Sequence, residues 1–142
     1  MKVHGSVDWH RDTRGNCSRS MSSTIPDDPD QMAILYPGFK GVPDIEPFTS
    51  MHSKLNIRLF EATKIIVIGF AFRDLYINNI FENVMRLRKD SKIFYFNPLK
   101  IEEFPDDSQV PYFIKNYASF EHIRMAVEIK EKPLSLASYL DS

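Results

Sequence analysis

The sequence predicts an α/β protein built on a doubly wound, mostly parallel sheet flanked by helices, and three observations carry that expectation. The first is the run Ile65-Ile66-Val67-Ile68, four branched aliphatic residues without alternation, leading into Gly69. Parallel strands covered on both faces lose the apolar/polar alternation of half-exposed ones, so the run reads as a fully buried strand. The second is the order helix, strand, helix, strand between residues 48 and 97, which is how parallel sheets are connected. The third is the abrupt passage from that buried strand through Gly69 to a capping acid, Asp74. In open α/β sheets the crevice beyond a strand's carboxyl end receives the ligand.

Each element follows from local pattern. The opening Lys2-Val3-His4-Gly5-Ser6-Val7-Asp8-Trp9 is a strand candidate. Residues 10–31 are rich in Ser, Arg, Asp and Pro, with Met21 and Ile25 the only sizeable apolar side chains, and read as a surface loop or a partly ordered insertion. Residues 32–36 suggest a short strand, after which Pro37, Gly38, Gly41, Pro43 and Pro47 repeatedly break regular structure. From Phe48, the apolar residues Met51, Leu55, Leu59 and Phe60 fall at mostly helical spacing and predict an amphipathic helix ending near Thr63. A strand over 64–69 follows at once.

The clearest helix comes next. Asp74 is placed to cap it, Ile77, Ile80, Phe81, Val84 and Leu87 form one stripe, and Asn79, Glu82, Asn83 and Arg86 face outward. Arg86, Arg88 and Lys89 suit the negative end of its dipole. Residues 91–97 read as a strand carrying Ile93-Phe94-Tyr95-Phe96 and halted by Pro98. Beyond it, 101–110 is an acidic, proline-bearing loop, 112–114 a short strand, and 119–130 a helix with Phe120, Ile123, Ala126 and Val127 inward. Leu134, Leu136 and Leu140 suggest a last docking segment. The best-defined α/β portion is 64–130.

Composition narrows the function classes. The chain has 142 residues, the usual size of one domain, and its 43% apolar and 13% aromatic content fits a globular protein. A formal net charge of −1 gives no case for nucleic acid or an anionic membrane surface, both of which ask for clustered basic residues. The longest apolar run, 65–72, is far too short for a bilayer span and no signal peptide is visible, so a cytoplasmic location is the default expectation. Cys17 is the single cysteine, which excludes an internal disulfide and a cysteine-built zinc site within one copy.

Two segments carry candidate chemistry. His4 immediately precedes Gly5, so an imidazole can approach a ligand with the backbone drawn close behind it, and together with the Gly69 turn this suggests a nucleotide pocket. Other readings stand beside that one. A His-Gly pair is commonly a plain turn or a satisfied, partly buried histidine, Arg73 and Asp74 serve equally as a helix cap with a nearby charge, and Asn97-Pro98 is a common strand-ending pair. Asp44, Glu46, Glu102, Glu103, Asp106 and Asp107 read as solvated loop charges, and His10, His52 and His122 as surface residues.

The segments KVHGSVDW, IIVIGFAFRDLYINNIF and IFYFNP, in this order and at these separations, resemble the carboxyl-terminal two thirds of a sirtuin-like domain, from the NAD-consuming relatives of the silent-information-regulator deacylases. The likeness spans residues 2–130, with none of it in the insertions. Most specific are the Arg-Asp and Ile-Asn after the glycine turn, which the bacterial sirtuin-like branch shows. The resemblance implies that His4 is the catalytic base, that Gly69, Phe70 and Ala71 touch the NAD ribose and phosphates with Gly5 and Asp74 beside the cofactor, and that Asn97 contacts the adenosine ribose. Cleaving the nicotinamide–ribose bond passes through a cation-like sugar, which calls for a base near the ribose hydroxyls, a task imidazole performs at neutral pH.

Departures from the family pattern carry implications of their own. Relatives usually bear Ser or Thr where Ala71 stands, and the four cysteines of the deacylase zinc ribbon are not here. The resemblance therefore points to the zinc-free bacterial branch, whose members tend to hydrolyse NAD, often in defence against phage. That family begins with a glycine-rich phosphate loop and an Asn-x-Asp motif upstream of the histidine, so the chain is expected to be a fragment of a Rossmann-like domain lacking its amino-terminal strand and that loop. An unpaired strand edge and an exposed apolar face beside residues 65–68 are expected to follow. Three functions stay open: NAD hydrolysis in the intact parent, NAD-dependent protein deacylation, and a non-catalytic nucleotide-binding or interaction module. Expected partners are NAD and either a second copy or other domains of a longer parent, with no metal, nucleic acid or membrane.

Overall fold

The structure is a computed structural model that describes residues 4–19, 28, 31–35 and 45–125. It divides into two compact units, Met1–Arg58 and Leu59–Ser142.

The first unit holds an antiparallel sheet of β1 (Gly5–Arg11), β2 (Cys17–Arg19) and β3 (Met32–Ile34) in the order β2-β1-β3. Its hairpin is set by one side chain. The Asp12 carboxylate accepts from the Arg14 and Asn16 amides at 2.9 and 2.8 Å and from Asn16 Nδ2 at 2.9 Å, while Gly15 supplies the left-handed φ of 83° that closes the turn. The Asn16 side chain foremost, then these backbone donors, hold the Asp12 carboxyl below its ordinary range. Helix α1 (Phe48–Glu61) begins in this unit, with Phe48 and His52 buried and the Phe48 ring stacked on Trp9 at 6.5 Å.

The second unit is a three-stranded parallel sheet flanked by helices. Strands β4 (Lys64–Ile68), β5 (Lys92–Phe96) and β6 (Phe120–Ile123) pair in the order β4-β5-β6, with Val67 opposite Tyr95 and Tyr95 opposite His122. Helix α2 (Leu75–Leu87) joins β4 to β5; a 3-10 turn (Ile101–Glu103) and α3 (Val110–Asn116) lead from β5 to β6. Both crossovers advance the same way along the sheet, so right-handed connections put α2 and α3 on one face. The contacts agree: Glu82 of α2 accepts hydrogen bonds from the Tyr112 and Tyr117 hydroxyls at 2.9 and 2.8 Å. On that face Ile65, Val67, Ile93, Tyr95 and Phe120 are buried. Phe94 and Phe96, on the opposite face, are buried too, so the central strand is covered on both sides.

Several sequence expectations need correction. β4 is not fully buried: Ile65 and Val67 are, but Ile66 is only half-buried and Ile68 is 47% exposed. Its position explains this, since it lies at one edge of the sheet and pairs with β5 alone among the described residues. Leu87 lies outside the α2 stripe at 61% exposure, whereas Asn78 and Met85 lie within it. The segment 112–114 belongs to α3 rather than to a strand, because Pro111 occupies the first helical turn, where its missing N–H costs nothing. Residues 120–123 form β6 rather than a helix, their backbone pairing with β5. The expected loop at 10–31 opens with the end of β1, a turn and β2. His52, at 2% exposure, is no surface residue, and His10 and His122 are half-buried. Met21, Ile25, Gly41, Asp44, Ala126, Val127 and the segment bearing Leu134, Leu136 and Leu140 lie outside the described residues.

Candidate functional site

The carboxyl ends of β4 and β5 bring most of the singled-out residues of the second unit together. β4 ends at Gly69, whose φ of +69° lies in the region that a residue with a Cβ adopts only at a cost of roughly 1–2 kcal/mol. A Cβ added there would meet nothing within 4 Å, so the space beside this bend is open. Three residues later Phe72 also adopts a left-handed φ, 51°, with its side chain fully buried. Its ring stands edge-on to Phe70, Phe81, Tyr95, Phe113 and Phe120 at centroid distances of 4.8, 5.2, 5.1, 5.6 and 5.5 Å. Losing such a ring from the core costs about 3–5 kcal/mol, more than the roughly 1–2 kcal/mol of backbone strain at this position, so packing wins and the turn keeps its shape.

The loop before α3 pins the turn from outside. Ser108 Oγ donates to the Ala71 carbonyl and the Gln109 amide to the Phe72 carbonyl, both at 2.9 Å, and Asn78 Nδ2 reaches the same Phe72 carbonyl at 2.9 Å. Arg73 pairs with Asp107 at 2.7 Å, a solvent-exposed bridge of little energetic weight. Phe70 leans on Phe72 and Phe81, and Ala71 is exposed. Asp74 caps α2, its Oδ1 accepting from the Ile77 amide at 2.9 Å. That carboxylate already complements the positive end of the helix, which is also where a phosphate would settle.

At the end of β5, all four polar groups of Asn97 are engaged. Its amide donates to the Ile123 carbonyl at 3.1 Å, its carbonyl accepts from His122 Nε2 at 3.0 Å, its Nδ2 donates to Tyr95 Oη at 2.8 Å, and its Oδ1 accepts from the Leu99 amide at 2.9 Å. A carbonyl only accepts, so this bond places a proton on His122 Nε2. Burial pushes the Tyr95 phenol above its ordinary value, with the Asn97 bond opposing, so the hydroxyl keeps its proton at neutral pH. Tyr95 and His122 rings lie 5.5 Å apart, and Phe104 packs against both.

His4 and Gly5 belong to the first unit. The His4 carbonyl accepts from the Leu35 amide at 2.9 Å and its ring stands 5.9 Å from that of His52, edge to face; Gly5 pairs with Ile34 at the start of β1. Among the described residues, no group of three or more His, Cys, Asp and Glu side chains is placed to hold a metal ion. No helix among them is long and apolar enough to cross a membrane.

Sequence reasoning missed Tyr95, Ser108 and His122 as parts of this site. Tyr95 was visible only as an apolar strand residue, and Ser108 only as a loop residue. His122 carried a usable signal, since Phe120 and His122 alternate with Glu121 at the period of a strand. The chain matches no family model and no curated protein sequence.

Proposed function

We propose that the parallel sheet belongs to a doubly wound, Rossmann-like NAD-binding domain of sirtuin-like type that serves NAD hydrolysis. The observation that carries this reading is the pairing of an open glycine bend at the end of β4 with an asparagine held at the end of the adjacent β5. Gly69, Phe70 and Ala71 offer main chain to the dinucleotide, and Asn97 offers a donor and an acceptor to a ribose. The sirtuin-like resemblance alone supplies His4 as the base of the cleavage, with water as the acceptor. A protein deacylase differs only in its acceptor and would release nicotinamide only when an acylated peptide is present.

Two observations favour a second reading, a non-catalytic nucleotide-binding or interaction module. Ala71 brings no hydroxyl to the turn and the Asp74 carboxylate occupies the helix end where a phosphate would bind. The two readings separate when purified protein is incubated with NAD and nicotinamide release is followed. Hydrolysis predicts release that His4→Ala abolishes; equal release by His4→Ala removes His4 as the base, and adenosine diphosphate-ribose binding without release selects the module.

A further inference from the structure

We propose that Tyr95 and His122 are positioning residues that fix the Asn97 carboxamide in the one orientation that presents a donor and an acceptor side by side at the rim of the sheet. The inference rests on the ribose role of Asn97 proposed above and deepens it.

A carboxamide has two N–H donors and two acceptor lone pairs, and left alone it can turn over, exchanging them. Here the exchange is blocked from one side by the Leu99 amide, which can only donate and so requires Oδ1 to face it at 2.9 Å. From the other side Tyr95 Oη takes one Nδ2 hydrogen at 2.8 Å. One N–H and one lone pair remain on neighbouring atoms, which is the complement of two adjacent sugar hydroxyls.

The tyrosine hydroxyl can act as a fixed point because the rest of that side chain cannot move. Tyr95 is fully buried, with its ring against Phe72, Phe104, Phe120 and His122 at 5.1, 6.2, 5.8 and 5.5 Å. His122 fixes the other end of the same residue: from the neighbouring strand its Nε2–H holds the Asn97 carbonyl, so backbone and side chain are restrained together. A phenylalanine would fill the space of Tyr95 equally well; what the hydroxyl adds is the contact to Asn97. A tyrosine that served packing alone would leave ligand affinity unchanged on losing its oxygen.

The test is calorimetric titration of adenosine diphosphate-ribose into the full chain and its Tyr95→Phe, Asn97→Ala and doubly substituted forms, each first shown to melt cooperatively. Losing one neutral hydrogen bond's worth of ordering should weaken binding about 5-fold in Tyr95→Phe. The double variant should bind no more weakly than Asn97→Ala alone, since the hydroxyl acts only through the carboxamide. His122→Ala should weaken binding similarly, and His122→Gln, which retains a side-chain N–H donor, should recover part of the loss. Wild-type affinity in Tyr95→Phe, or losses that multiply in the double variant, would overturn the positioning role. Binding that is unchanged in Asn97→Ala, or undetectable in the unsubstituted chain, instead overturns the ribose reading beneath it.

Discussion

The bend after β4 and the rim after β5 stand at the same end of neighbouring strands, yet different forces hold them. The bend is anchored by an apolar side chain: Phe72 is driven into the core against five rings, and the backbone takes a left-handed turn to let it in. The rim is anchored by polar bonds, with Asn97 tied to Tyr95, Leu99, His122 and Ile123. Apolar packing is non-directional and sums over area, whereas hydrogen bonds are individually small and orient what they hold. Damage to the bend should therefore register as lost stability, and damage to the rim as lost ligand affinity.

The largest expected effect is at Phe72. Its replacement by Ala should cost about 3–5 kcal/mol in urea unfolding; a loss below about 1 kcal/mol would mean that the aromatic cluster does not hold the turn. Asp74→Ala removes the cap of α2 and should cost about 1 kcal/mol, with Asn recovering most of it. Ser108→Ala frees the Ala71 carbonyl and should cost about 1 kcal/mol or less. A Ser108→Ala effect as large as that of Phe72→Ala would erase the contrast between packing and bonding.

Two smaller effects depend on pH. Desolvation, then the bonds to Glu82 and Tyr112, keep the Tyr117 phenol above its ordinary value in the folded protein. Its bond to Glu82 therefore contributes fully below the unfolded tyrosine value near 10 and is lost as pH rises beyond it. Melting temperature should fall on that alkaline limb, and less steeply in Tyr117→Phe. In the hairpin the lowered Asp12 carboxyl works the opposite way: its contribution is present above the unfolded value near 3.8 and fades as pH drops through the lower folded one. Amide exchange at Asn16 should accelerate below that point, and Asp12→Asn should flatten the change.

Much of the second unit was legible because its periodicities are long. The 3.6-residue stripe of α2, its Asp74 cap and the strands at residues 64 and 92 match the structure closely. The errors fall where segments are short. Tyr112, Phe113 and Ile114 have strand-forming side chains, but Pro111 begins a helix; Phe120 and Ile123 are three apart as on a helix, but backbone pairing with β5 decides. In α1 the buried stripe runs through Phe48, His52 and Leu59, a spacing of four and seven that already included the histidine. The site itself was half legible. Gly69, Asp74 and Asn97 announce themselves by residue type, whereas Tyr95 and His122 become informative only once three strands lie side by side.

The central claim is that the Gly69 bend and the Asn97 rim receive one dinucleotide. Backbone amide resonances followed during titration with adenosine diphosphate-ribose test it most directly. The account predicts that the amides of Gly69, Phe70, Ala71 and Asn97 shift together and saturate at one concentration. A bend that responds while Asn97 stays still, or two regions that saturate apart, would contradict it.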